Sequence, residues 1–325
     1  GNTASRILKF LQGRRCPVQA LATTLCGTSF MDTVKSHSVF SSPDFLVTPA
    51  DLRQLLGRAE SPLVLDVRRL PRFQESPRLL PTARYCQPDK LADFVAQYPP
   101  QAVVVYCVYG HEVSQESAAW MRAQGWDARY VQGGIEGGEP GVDAAEFLAD
   151  LRAQGLPTVT KRPDLGVTGE AASRWVTRER PKIDRIACPW LIQRFVDGRA
   201  EFFYVPTPQV FEQAKALQAV AYDIPGAPIT HEGALCSFDA VLKAFDLKLP
   251  ALDLLANIVR GADTDCLDLV PQSAGLLATS LGYSRLFATD DHAMLAAMMP
   301  VYDALYAWCC DRVAATAAAH NWTPQ

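Results

Sequence analysis

The sequence predicts a chain in two parts, an α/β domain built on a parallel sheet and then a mostly helical α+β domain. Three observations lead there. Val103, Val104, Val105 and Tyr106 form an unbroken apolar run rich in β-branched residues, which is how a strand buried on both faces reads. Short strands alternate with helices from Phe45 to Val131, the order that builds a parallel sheet. From Ser237 onward, apolar residues recur at helical spacing instead.

Phe45-Leu46-Val47 reads as a short strand, and Thr48 caps a helix with Pro49 at its first position. A strand at 63–67, a short helix near 71–75 and a helix at 88–97 follow. Then come a strand at 102–106, a helix at 114–124 and a strand at 128–131. Past Gly137-Gly138-Glu139-Pro140 the pattern changes to an amphipathic helix at 143–153 and a breaker-rich stretch ending at Gly169. Arg174, Arg178, Arg180, Lys182 and Arg185 read as a solvated linker face, with an anion-steering path as the alternative. Ala187 to Val196 is a helix that turns Leu191, Ile192, Phe195 and Val196 inward. Phe202 and Tyr204 share one face of the next strand. Helices at 237–245, 251–260 and 271–281 follow, then a long stretch from 291 that Pro300 interrupts. The expected boundaries are an N-terminal extension at 1–40, a first domain at 41–140, a helical linker at 141–165 and a second domain at 166–325. The extension has no acidic residue before Met31, the expected native start, and is expected to be poorly ordered.

The stretch VVVYCVYGHEVS (103–114) holds the first candidate site. A loop of Val108, Tyr109 and Gly110 leads from Cys107 to Ser114, which can N-cap the helix that follows. Backbone N–H groups and the positive end of a helix gather around such a thiol and favour its thiolate. Cys107 is therefore the expected nucleophile, open to solvent, with His111 as a base or a cation and Glu112 and Val113 beside it.

LVLDVRR (63–69), LLPTARY (79–85), the Cys107 loop and RYVQGGIEGG (129–138) together resemble the rhodanese family in order and spacing. Asp66, Arg68, Pro81, Ala83, Arg84, Cys107, Gly133 and Gly134 match its motifs. The resemblance implies sulfur transfer through a Cys107 persulfide, with no cofactor, and places Asp66 and Arg68 with the anion-binding loop. One departure matters: single-loop rhodaneses usually carry an Arg where this chain has Glu112. A carboxylate there repels anions, so thiosulfate turnover is expected to be weak.

WVTRERPKIDRIACPWLIQRFVDGRAEFFYVP (175–206), AYDIPG (221–226), THEGALCSF (230–238), RGADTD (260–265), SAGLLATSLG (273–282) and YDALYAWC (302–309) resemble the ChrB-type chromate-resistance domain. The resemblance implies a role in chromate or oxyanion resistance, either through a site in this domain or as a sensor that uses the first domain as a binding module. Polar residues inside apolar segments are costly unless paired, so they mark candidate sites. Asp184, Arg185 and Cys188 form one such set at a helix start, where Asp184 could cap and Arg185 could hold an oxyanion. His231, Asp263 and Asp265 form another, the two carboxylates expected on a loop after a Gly261 helix cap. One imidazole with two carboxylates suits Fe or Mn.

Charge and cysteine usage bound the partners. With 31 Lys and Arg against 35 Asp and Glu the net charge is −4, so neither nucleic acid nor an anionic membrane is expected. No apolar run reaches the ~18 residues of a membrane span. Nine cysteines without a C-x-x-C pair fit reduced thiols in a cytoplasmic protein. The expected partners are a small anionic or sulfur-donor substrate and an acceptor protein.

Overall fold

Val103 to Tyr106 fulfil the first expectation: they form the middle strand of a parallel sheet. The structure is a computed structural model that describes residues 45–314, so the expected extension at 1–40 lies outside the described residues. Five strands make the sheet: β1 (Leu46–Val47), β2 (Leu63–Asp66), β4 (Arg84–Tyr85), β5 (Ala102–Tyr106) and β6 (Asp127–Val131). Their order is β1-β6-β5-β2-β4, and every neighbour pair is parallel. Side chains alternate along β5 as a pleated strand requires. Val103 and Val105 face a core shared with Leu65, Val67, Cys107, Ala118 and Met121, while Val104 and Tyr106 face the other core. That second core is continuous from Val47 to Cys309 and ties the two halves of the chain together.

The helices of the first half are α1 (Pro49–Leu55), α2 (Leu70–Glu75), α3 (Leu91–Gln97), α4 (Glu112–Ala123) and α5 (Ala145–Gln154). Thr48 caps α1 as expected, in a reciprocal box with Asp51. The strand β3 (Arg78–Leu79) pairs antiparallel with β7 (Val159–Thr160).

The second half has its own parallel sheet, β10-β8-β9, with β8 (Arg174–Arg178) between β9 (Glu201–Val205) and β10 (Val220–Ala221). Its helices are α6 (Asp184–Leu191), α7 (Val210–Leu217), α8 (Ser237–Phe245), α9 (Pro250–Asp263), α10 (Gln272–Leu286) and α11 (Asp291–Ala314). The basic stretch read as a linker face is in part this central strand, because Trp175 and Val176 are wholly buried between its charged neighbours. The expected helix 187–196 starts earlier, at Asp184, and widens into a π-turn at Ile192–Val196. Pro300 does not interrupt α11. By length and apolar composition α11 alone among the described helices could cross a membrane, yet it turns Met294, Met298, Tyr302 and Cys309 into the core.

One ion pair lies inside the first half. Asp66 and Arg68 are 0 % and 1 % exposed, with Arg68 Nη2 2.6 Å from Asp66 Oδ2. Tyr106 donates its hydroxyl to the same oxygen at 2.7 Å, and Arg68 also donates to the Arg78 carbonyl at 3.0 Å. Such a pair is costly to bury unless hydrogen bonds add to the charge attraction, and here Nε and Nη2 of Arg68 both bond the carboxylate. Asp66→Ala would strand the Arg68 charge, and we expect a loss of about 3–5 kcal/mol in urea unfolding. A loss below about 1 kcal/mol would mean that the pair does not organise the sheet.

Candidate functional site

Cys107 directly follows β5, at the carboxyl end of the central strand, and α4 starts five residues later. The helix begins at Glu112 with His111 as its N-cap, so Ser114 lies inside the first turn and is not the cap. Ser114 is buried there, its Oγ 3.1 Å from Cys107 Sγ and donating to the His111 carbonyl at 3.3 Å. The N–H groups of Val108 to Glu112 have no acceptor among the described residues. An array of unfilled donors before a helix N-terminus is suited to an anion. The Gly-Gly turn holds the loop in place: Ile135 N–H donates to the Cys107 carbonyl at 3.1 Å and Glu136 N–H to that of Val108 at 2.9 Å. Gly110 and Gly134 pass so close that a Cβ on Gly134 would lie 2.5 Å from the Gly110 nitrogen.

Other features of the loop depart from expectation. Cys107 is 6 % exposed, whereas Cys266 is the exposed thiol among the described cysteines. Asp66 and Arg68 are closed inside their ion pair and offer nothing to an anion at the loop mouth. His111 is held by acids, with Nε2 3.0 Å from Asp143 Oδ2 and Nδ1 3.5 Å from Glu139 Oε2. The Glu139 N–H and then His111 keep the Asp143 carboxyl below its usual range. Tyr109 accepts from Arg72 at 3.3 Å. Val113 packs against the core that holds Cys107.

The second half gathers more. Asp184 opens α6, but its carboxylate caps a different helix, accepting the N–H groups of Ser237 and Phe238 at the start of α8. The preceding residue, Ile183, sits at φ 32°, a costly conformation for a β-branched side chain. Its N–H donates to Ser280 Oγ at 3.3 Å and its carbonyl accepts from Tyr302 at 3.1 Å, which fixes the turn. Asp223, also at positive φ, takes the Ser237 hydroxyl on one oxygen at 2.8 Å and Arg178 and Arg185 on the other at 3.1 and 3.4 Å. Into this cluster His231 inserts Nε2, 3.4 Å from Asp184, 3.4 Å from Asp223 and 3.1 Å from Asp263.

His231 and Asp263 thus come together as expected, and Asp265 does not join them. The reason is the length of α9, which runs through Gly261 to Asp263 with Thr264 as its cap, so Asp263 is on the helix and not on a loop. Asp265, beyond the helix end in left-handed backbone, is exposed. Glu232 is engaged with Lys243 at the surface. Cys188 is fully buried, and burial with Asp184 and Asp223 nearby pushes its thiol well up, so it is a core residue. Arg185 is engaged by Asp223 at 3.4 Å and by the Arg178 and Glu179 carbonyls at 3.3 and 2.9 Å. Asp223 is the residue that sequence reasoning missed; its only signal is an acidic side chain inside AYDIPG.

Crowded carboxylates and burial reshape the titration. The hydrogen bond with Asp184 raises His231 to about 9. Burial, then the charges of Asp184 and Asp223, raise Asp263 to about 7. Asp184 is also raised, chiefly by burial. Oxygen atoms of Asp184 and Asp223 and Nε2 of His231 all lie within 4.8 Å of one another. Adjacent ligands on an octahedral ion with bonds of about 2.1 Å are separated by about 3 Å, so Asp184, Asp223 and His231 have the donor types and closeness a divalent cation needs, and Asp263 reaches the same imidazole nitrogen at 3.1 Å.

Comparison with known proteins follows this division. Residues 48–139 match the family model of the rhodanese-like domain, and residues 175–309 that of the ChrB C-terminal domain. Protein ChrB of Cupriavidus metallidurans is 31 % identical over 137 residues, 41 % of this chain and 40 % of that protein. This chain therefore matches less than half the length of that curated relative. A rhodanese homolog from Thermus thermophilus is 28 % identical over 28 % of this chain and 97 % of its own, at a TM-score of 0.24. A rhodanese-like domain protein from Staphylococcus aureus is 22 % identical over 30 % of this chain and 95 % of its own, at a TM-score of 0.26. The chain carries a rhodanese-like domain followed by a ChrB-type C-terminal domain.

The raised Asp263 has a stability consequence with a definite sign. A carboxyl whose folded pKa lies above its unfolded value binds more protons in the folded state, so stability falls as pH rises from about 4 to about 7. Asp263→Asn removes that loss. In chelator-treated protein the variant should gain stability relative to wild type between pH 4 and pH 7, as read by urea unfolding. A constant difference across this range would contradict the assignment.

Proposed function

We propose that this chain serves chromate or related oxyanion resistance by joining sulfur transfer at Cys107 to a divalent-metal site in its ChrB-type half. The observation that supports this best is the convergence of Asp184, Asp223, His231 and Asp263, from four separated segments, on one point. Neutral imidazole with hard oxygen donors and no thiolate favours iron or manganese. Such an ion would supply Lewis-acid or one-electron chemistry. Asp184, Asp223 and Asp263 would hold it with His231, whose proton must leave on binding. Arg178 and Arg185, bonded to the outer oxygen of Asp223, would present positive charge to an oxyanion beside the ion.

In the rhodanese-like half, the Cys107 thiolate would attack the outer sulfur of a donor, the donor S–S bond breaking as the persulfide forms. The free N–H groups of Val108 to Glu112 would hold the anionic end, and a partner thiol would then accept the sulfur. The seven free cysteines among the described residues suit a reducing cytoplasm. Glu112, where an anion-binding Arg is usual, and the low exposure of Cys107 favour a second reading. In it the ChrB-type half senses the anion or metal, and the first half is a binding module without turnover.

Two measurements separate these readings. Manganese or iron, measured by elemental analysis after loading, should approach one ion per chain in wild type and fall at least about tenfold in His231→Ala. Equal content in both would remove His231 as a ligand. A cyanide-labile persulfide should form on wild type and vanish in Cys107→Ser. No persulfide on wild type from any donor would leave the sensor reading.

A further inference from the structure

A cleft of about 240 Å3 opens where the two halves of the chain meet. Its first wall comes from the segment before β2, from Arg84 at the start of β4 and from Gln101 just before β5. Gln193 and Arg194 of the π-turn, with Gly198 after it, make the second wall. Because β2, β4 and β5 run parallel, these three starts share one edge of the sheet. Cys107 lies at the opposite edge, a strand length of about 15 Å away. The His231 cluster contributes no residue to the cleft.

The lining is one-sided in charge. Arg58, Arg84 and Arg194 line it with Gln101 and Gln193, and no acidic side chain does. Arg194 is already engaged by Asp303, through two bonds of 2.8 and 2.9 Å. Arg58 and Arg84 have no carboxylate in ion-pair range among the described residues. Arg84 is half-buried, 5.7 Å from the Tyr98 ring; burial and nearby Arg199 hold its pKa below the ordinary value, and Tyr98 and the more distant Asp197 offset this only in part. A partly desolvated guanidinium is costly without a counter-charge, and proteins seldom leave one unmatched. Its planar fork fits two oxygens of a tetrahedral anion.

We propose that this cleft binds a small tetrahedral oxyanion of the phosphate and sulfate class, held between Arg58 and Arg84 with Gln101 and Gln193 as neutral donors. The ligand touches both halves, so its binding strengthens their junction. The π-turn gives the second wall its shape, and such turns recur at functional sites. This site stands independently of the metal reading, since the two share no residue.

Calorimetric titration of the full chain with inorganic phosphate, sulfate and chromate, each at low ionic strength, tests the proposal. Saturable binding at one site is expected for at least one of the three, and the tightest identifies the source of the ligand. Arg58→Gln and Arg84→Gln should each weaken it by about tenfold or more. Arg174→Gln, which removes a surface arginine elsewhere, should leave it unchanged. Arg58 is exposed, so its variant keeps the fold if Arg84→Gln does not, and an unchanged unfolding midpoint checks this. Absence of saturable binding to all three anions would overturn the proposal. So would binding that survives both arginine substitutions, or that is abolished by Arg185→Gln alone.

Discussion

The Asp184 carboxylate is wholly buried, and the second half is arranged around making that tolerable. Burying an ionised carboxylate costs several kcal/mol unless hydrogen bonds and opposite charge offset it. Two backbone N–H groups of α8 supply the first and His231 the second. To bring Asp184 there, the chain accepts a β-branched residue at positive φ just before it. The strained turn is braced by Ser280 from α10 and by Tyr302 from α11. Loss of the carboxylate would therefore release a helix cap and an imidazole contact, and leave the strained turn without its purpose.

Asp223 and Asp263 make the arrangement more costly, and the proposed cation would offset that cost. Burial, and then the charges of Asp184 and Asp223, raise Asp263 to about 7, and the one imidazole offsets this only in part. A divalent ion would replace the His231 proton and satisfy all three at once. Asp223 joins this interior to the arginines through its two oxygens, so charge brought to one side is felt on the other. The Cys107 loop follows a different logic. There the backbone supplies the donors, the Gly-Gly turn fixes them, and acidic neighbours in Glu112, Glu139 and Asp143 limit which anions can approach.

Much of this was legible in the sequence wherever one segment makes its own case. The apolar run 103–106 and the strand–helix alternation gave the parallel sheet, and Cys107 emerged from its position after the central strand. Two-residue strands such as β3, β4 and β7 have no periodicity to read, since their pairing is set by distant partners. Asp265 was expected in the cluster because Gly261 resembles a helix cap. In the structure that glycine serves packing: a Cβ there would lie 2.3 Å from Ser273 Oγ, so α9 and α10 approach closely and the helix continues past it. Asp223 stayed hidden because an Asp before Ile-Pro-Gly reads as a turn residue. Its role depends on Arg178, Arg185 and Ser237, which come from three other segments.

The central claim is that four segments of the ChrB-type half build one cation site. Anomalous diffraction from crystals of the full chain grown with manganese tests it most directly. The account predicts one strong peak with oxygen atoms of Asp184, Asp223 and Asp263 and Nε2 of His231 within about 2.0–2.6 Å. A peak elsewhere, or none while His231 remains hydrogen-bonded among the three carboxylates, would contradict it.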